Sequence, residues 1–125
     1  MIFDTDILIW VERGNHKAAS LINKTSERFI SIQTYMELIQ QAKNKIHQKQ
    51  TREFLSLYDF SILPLSENIG HRAAIYIEEY GLSSGLRAGD AVIAATATEN
   101  NLPLATGNLK HFKSIQDLVL KVFKS

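Results

Sequence analysis

Met1-Ile2-Phe3-Asp4-Thr5-Asp6-Ile7-Leu8-Ile9-Trp10-Val11 opens the chain and decides how the rest of it is read. Three apolar residues stop at an acid, which fits a brief buried strand. Ile7 to Arg13, ended by Gly14, then suits a helix. The same alternation continues. His16 to Lys24 reads as a second helix with Ala18, Leu21 and Ile22 on one stripe, and Phe29-Ile30-Ser31 as another short strand. Tyr35, Leu38, Ile39, Ala42 and Ile46 fall at helical spacing, and a further helical stretch carries Phe54, Leu55, Leu57 and Tyr58. Ser61-Ile62-Leu63 before Pro64 is a strand candidate, and Ile69, Ala73, Tyr76, Ile77 and Tyr80 mark a long amphipathic helix. By composition Gly81 to Gly89 is a loop. Asp90 to Glu99 is apolar on nearly all sides, which predicts a deeply packed helix. Leu102 to Ala105 and Leu118 to Phe123 close the series as strands.

No tight hairpin signal lies between these strands. Short strands alternating with helices imply an α/β fold, a parallel sheet covered by helices on both faces. The 125 residues form one domain, 1–125, with no linker, low-complexity stretch or internal repeat. A 45% apolar and 22% charged composition argues against intrinsic disorder. With no cysteine, disulfide frameworks, thiolate metal sites and cysteine nucleophiles are excluded. A net charge of +1 gives no global electrostatic case for nucleic acid or membrane binding. The longest apolar runs, Ile7 to Val11 and Ala91 to Ala95, fall far short of the about twenty residues a spanning helix needs. Asp4 and Asp6 spoil a secretory signal, so the expected location is cytoplasmic and no membrane partner is expected.

In open parallel sheets ligands bind beyond the carboxyl ends of the strands. Asp4-Thr5-Asp6 follows the first strand, Thr34-Tyr35-Met36-Glu37 the second, and Thr106-Gly107-Asn108 the fourth. Asp90 opens the helix leading into that fourth strand. Each residue has a simpler reading. Asp4, Asp6, Asp90 and Asn108 suit helix caps, and Thr34-x-x-Glu37 matches a capping box. Capping does not explain why caps would gather on one edge. Three carboxylates and an amide oxygen in one cleft repel one another, and a hard divalent cation turns that repulsion into a ligand set. Such an ion activates water and neutralises a phosphodiester in its transition state.

Phe3-Asp4-Thr5-Asp6-Ile7-Leu8, Thr34-x-x-Glu37-Leu38, Gly89-Asp90-Ala91-Val92-Ile93-Ala94-Ala95 and Leu104-Ala105-Thr106-Gly107-Asn108-Leu109-Lys110-His111-Phe112 resemble the PIN-domain ribonucleases, and above all the small VapC-type toxins of toxin–antitoxin pairs. Each motif is short, but four in order span nearly the whole chain. The resemblance implies a three-layer α/β/α fold around a parallel five-stranded sheet, and an endoribonuclease dependent on Mg2+ or Mn2+. It implies that Asp4, Glu37 and Asp90 are metal ligands and catalytic residues, with Asn108 standing where many members carry a fourth aspartate and Thr106 matching the adjacent threonine. Asp4 and Asp90 would hold the ion, Glu37 would help hold it or orient the attacking water, and Asn108 with Thr106 would position a water or the scissile phosphate. An amide brings no charge, so one tightly held ion is expected, and Asp6 offsets the loss if it faces the cleft. A small antitoxin partner and a homodimer are also implied.

Lys43, Lys45, Lys49 and Arg52, with His47 among them, lie in a ten-residue window free of acids, a candidate RNA-binding patch whose simpler reading is a solvated helix face. Arg87 and Lys110, three and two residues from Asp90 and Asn108, are further RNA-binding candidates. The four histidines show no zinc-like pairing and read as surface residues. Two alternatives remain open. Asn108 suits a PIN-like module that binds without cutting. Ile2-Phe3-Asp4-Thr5-Asp6 also resembles the opening motif of haloacid-dehalogenase phosphatases, although their late second aspartate is missing from Ala91 to Ala95.

Overall fold

Strand β1 (Ile2–Phe3) is only two residues long, yet it occupies the centre of the sheet. In this computed structural model, which describes residues 1–125, five parallel strands lie in the order β3-β2-β1-β4-β5, with β2 at Arg28–Ser31, β3 at Phe60–Leu63, β4 at Leu104–Thr106 and β5 at Leu120–Val122. Ile2 pairs with Phe29 on one side and Leu104 on the other, and Phe3 pairs with Ala105. From β1 the chain winds outward through β2 and β3, then returns to β4 and β5. The reversal falls between β1 and β4, the point where such sheets open a crevice.

Side chains alternate across the sheet, and that alternation builds the layers. Ile2 and Leu104 point into one core, shared with Ile69, Ala73 and Tyr76 of α5 (Glu67–Ser84), Ile93 and Ala94 of α6 (Ala88–Glu99), and Phe112 of α7 (Leu109–Phe112). Phe3, Ile30 and Ala105 point into the other. There they meet Ile7 and Leu8 of α1 (Thr5–Glu12), Ala18 and Ile22 of α2 (His16–Lys24), Leu38 of α3 (Ile32–Gln41) and Leu55 of α4 (Lys45–Leu57). The three-layer arrangement with a five-stranded parallel sheet is therefore as expected. Alanines along α6 let α5 pack closely against it. At its far end Arg72 links Glu99 (2.5 Å) to Asp117 (2.6 Å), and the Tyr76 hydroxyl donates to Asp117 (2.9 Å). No helix is long and apolar enough to cross a membrane.

Three local expectations are corrected. The helical spacing from Tyr35 to Ile46 spans two helices: α3 stops at Gln41, and Asn44 caps α4 by accepting from the His47 N–H (2.8 Å). Gly81 lies inside α5, where a neighbouring turn packs without crowding it. The helix ends only at Gly85, whose φ of +70° suits a residue without a Cβ. Finally α6 begins at Ala88, so Asp90 sits in its first turn and does not occupy the cap position.

Candidate active site

Asp4 leaves β1 at the sheet reversal and caps α1. One carboxylate oxygen accepts from the Thr5 N–H (2.7 Å) and the other from the Thr106 hydroxyl (2.7 Å), at the end of the neighbouring strand. Its capping role and its place in the cleft thus coexist. Only 6% of it is exposed. Burial, then the nearby Asp6 charge, pushes its carboxyl up to about 7, and Asp90 adds to the rise against the opposing hydrogen bonds of Thr106 and Thr5.

Asp6 does not cap a helix. From the first turn of α1 it reaches across to β4–α7, where Oδ2 accepts from the Gly107 N–H (2.9 Å) and Oδ1 is buried without a partner. Burial raises its pKa too, the Gly107 hydrogen bond working against the shift. Gly107 has no side chain because a Cβ would lie 3.0 Å from Asp6 Oδ2 and 3.2 Å from the Phe123 carbonyl.

The Thr34-x-x-Glu37 pattern is not a capping box. Ser31 caps α3, accepting from the Thr34 N–H (3.0 Å), which frees Glu37 for the cleft. There Glu37 accepts from the Thr5 hydroxyl and from Gln33 Nε2 (3.2 Å). The first turn of α6 passes directly over it: a Cβ on Gly89 would stand 3.0 Å from both Glu37 Oε2 and Gln33 Nε2. Asp90, one residue further, accepts from the Arg87 N–H (3.3 Å) and lies 3.2 Å from His111 Nδ1. Asn108 stands at the start of α7, but its side chain makes no cap. Its backbone N–H donates to the Thr106 hydroxyl (2.9 Å), and its carboxamide meets His111 Nδ1 at 3.0 Å.

The chain thus brings Asp4, Asp6, Glu37, Asp90, Thr106 and Asn108 to one sheet edge. No three of its acidic or histidine side chains converge into a ready-made ion cage. The donor set nevertheless fits a hard cation. Asp4 and Asp6 are buried carboxylates whose ionised forms are disfavoured, and one buried oxygen has nothing to accept from. Arg87 and Lys110 are exposed next to Asp90 and Asn108. Lys43 and Lys45 are elsewhere. Both are exposed beyond the end of α3, and Lys43 lines, with Ile9, Arg13 and Asn44, a cavity of about 570 Å³ beside the last turn of α1. Lys49 sits 3.9 Å from Glu53, and His47 pairs with Glu12. Sequence reasoning missed Thr5 and Gln33, which hold Glu37, and set His111 aside as a surface residue. The signal for His111 was its place one helical turn beyond Asn108.

The PIN-domain family model matches residues 1–118. Among solved structures, a chain of a toxin–antitoxin complex from Klebsiella pneumoniae is 34% identical, with 94% of each chain covered and a TM-score of 0.81. A chain of VapBC-1 from nontypeable Haemophilus influenzae is 26% identical, with 98% of each covered and a TM-score of 0.80. A chain of VapBC2 from Rickettsia felis, bound to a DNA fragment from its promoter, is 25% identical over 99% of this chain and 100% of that one, with a TM-score of 0.79. No curated protein matches. The chain belongs to the PIN-domain family, and these likenesses bear out the VapC-type resemblance of its motifs.

Proposed function

We propose that this chain is a metal-dependent endoribonuclease that hydrolyses RNA phosphodiester bonds as the toxin of a toxin–antitoxin pair. Family membership supports a nuclease, and the toxin–antitoxin complexes among its structural neighbours support the pairing. The observation that carries the reading is Asp4, a nearly buried carboxylate at the sheet reversal, near the charges of Asp6 and Asp90, with no lysine or arginine paired to any of the three and only His111 against Asp90. Asp4 and Asp90 would hold Mg2+ or Mn2+, with Glu37 completing the set and Asp6 adding charge that Asn108 lacks. The bound ion would supply a water of lowered pKa and charge neutralisation at the scissile phosphate. Thr5 and Gln33 fix Glu37 so that one face of its carboxylate orients the attacking water. Thr106 spans Asp4 and the Asn108 backbone, which places the Asn108 amide against a phosphate oxygen. Arg87 and Lys110 lie where an RNA backbone would pass.

The same acidity supports a small antitoxin whose basic side chain enters the cleft in place of the ion. Exposed Met36 on α3 and Ile75 and Leu82 on α5 support a homodimer, which light scattering at micromolar concentration would test against a monomer. The nuclease reading is tested with end-labelled RNAs in Mg2+, Mn2+ or EDTA. Asp4→Asn and Asp90→Asn proteins are purified identically. Metal-dependent cutting by the native protein alone is the expected result. Cutting by the variants at the native rate would refute the assigned residues, and a native protein that binds no Mn2+ in calorimetry would favour the non-cleaving module.

A further inference from the structure

We infer that His111 is a positioning residue of the acidic cleft, whose Nδ1–H ties Asp90 to Asn108 and so joins the start of α6 to the β4–α7 corner. The consequence for catalysis rests on the nuclease reading above; the contact itself does not. His111 Nδ1 lies 3.2 Å from Asp90 Oδ2 and 3.0 Å from the Asn108 carboxamide, whose near end is placed as Nδ2. Its neighbour Phe112 is wholly buried, which fixes α7 against the core and gives the ring a set direction; 27% of the His111 side chain is exposed.

One nitrogen with at most one proton must serve both partners. A bare Nδ1 accepts from an amide N–H but sets its lone pair against a carboxylate. A protonated Nδ1 donates to the carboxylate and then needs an acceptor, not an N–H, from Asn108. Hydrogen bonds to a charged acceptor are about twice as strong as neutral ones, so the carboxylate decides. Nδ1 carries the proton and donates to Asp90, and Asn108 turns its amide oxygen to the same N–H. The two ends of a carboxamide have the same shape, so the turn needs no movement of the chain. The neutral imidazole suffices, with Nε2 left bare.

A continuous chain of hydrogen bonds then runs from Asp4 to Thr106, to the Asn108 backbone, through its side chain to His111, and on to Asp90. Two carboxylates that repel each other are held at a set separation by neutral groups. Both of Asp90's hydrogen bonds, from Arg87 and His111, fall on Oδ2, so Oδ1 is left to face the cleft. The Asn108 Nδ2 is likewise left outward as a donor for an anionic oxygen. An aspartate at position 108 would accept the same His111 proton and offer no N–H, so asparagine and His111 work as a pair.

The test uses metal-stripped native protein and the His111→Ala, His111→Asn and His111→Gln variants, with Mn2+ alone as probe. Without metal, long-range proton–nitrogen NMR of the native protein should place the imidazole proton on Nδ1; a bare Nδ1 overturns the inference. By calorimetry, His111→Ala should weaken Mn2+ binding about 10- to 100-fold, the usual effect of losing a partner that orients a ligand. His111→Asn, whose amide N–H falls near the place of Nδ1, should restore affinity to within about threefold of native, while His111→Gln, whose N–H falls near Nε2, should not. Native-like affinity in His111→Ala, or equal affinities in the Asn and Gln variants, overturns the inference even if all remain folded. A native protein with Nδ1 protonated that takes up no Mn2+ overturns the nuclease reading and leaves the His111 contact standing.

Discussion

Without metal, Asp4→Asn should make this protein more stable at pH 8 and less stable at pH 4. The Asp4 carboxyl rises from 3.8 to about 7, roughly three units, each worth about 1.4 kcal/mol. Ionised Asp4 therefore costs the fold about 4 kcal/mol once both states are deprotonated. The sign follows from proton counts. Between pH 3.8 and about 7 the folded state holds a proton that the unfolded chain has released, so stability falls as pH rises through that window. It is highest below the window and level above it. Asparagine removes the charge but cannot accept from both Thr5 and Thr106, a loss of about 1 kcal/mol. The net gain at pH 8 is about 3 kcal/mol. Unfolding entropy of about 2.1 cal/mol/K per residue gives about 0.26 kcal/mol/K for 125 residues, hence a melting temperature about 10 °C higher for the variant. At pH 4 the native protein should melt about 2 °C higher, with the two curves crossing at about pH 4.5. Circular dichroism melts in EDTA from pH 4 to 8 provide the assay. A native-minus-variant difference that stays flat, or grows as pH rises, would refute the argument that Asp4 is a buried carboxylate held in conflict.

Glu37→Gln should keep the fold, since an amide can still meet Thr5, yet lower single-turnover RNA cleavage by about 100-fold or more. Gly89→Ala should reduce cleavage about tenfold by displacing Glu37 and Gln33, with little change in urea midpoint. Gly70→Ala, where an added Cβ meets nothing within 4 Å, should instead stabilise by about 0.5–1 kcal/mol and leave cleavage untouched. Arg72→Ala should cost about 1–2 kcal/mol in urea denaturation through loss of the Glu99 and Asp117 pairs, again without an effect on cleavage.

The layered fold was legible because β1 and β4 are nearly unbroken apolar runs flanked by helical periodicity. The acids were legible because they stand where those runs end. Glu37 was found for the wrong neighbour: Ser31 and Thr34 both suit a cap, and spacing alone does not say which hydroxyl takes the free N–H. The break after Gln41 was hidden because Ala42 and Ile46 preserve the apolar period across it, and only Asn44 marks the new start. Gly81 read as loop because composition overlooks a helix that runs on through packed neighbours. Contacts between distant segments, such as Gln33 beside Gly89 or His111 on Asp90, carry no local pattern at all.

Asp4 and Thr106, joined by one hydrogen bond, are separated by 102 positions, and β1 hydrogen-bonds to Pro103 and Ala105 on one flank. β1 can pair with β2 early, but its other flank stays open until synthesis has passed residue 106. Such distant pairings close late in folding. A nascent chain carries its acids scattered along a polymer, where they grip nothing. The candidate cleft is assembled only once the segment carrying Thr106 and Asn108 has been made.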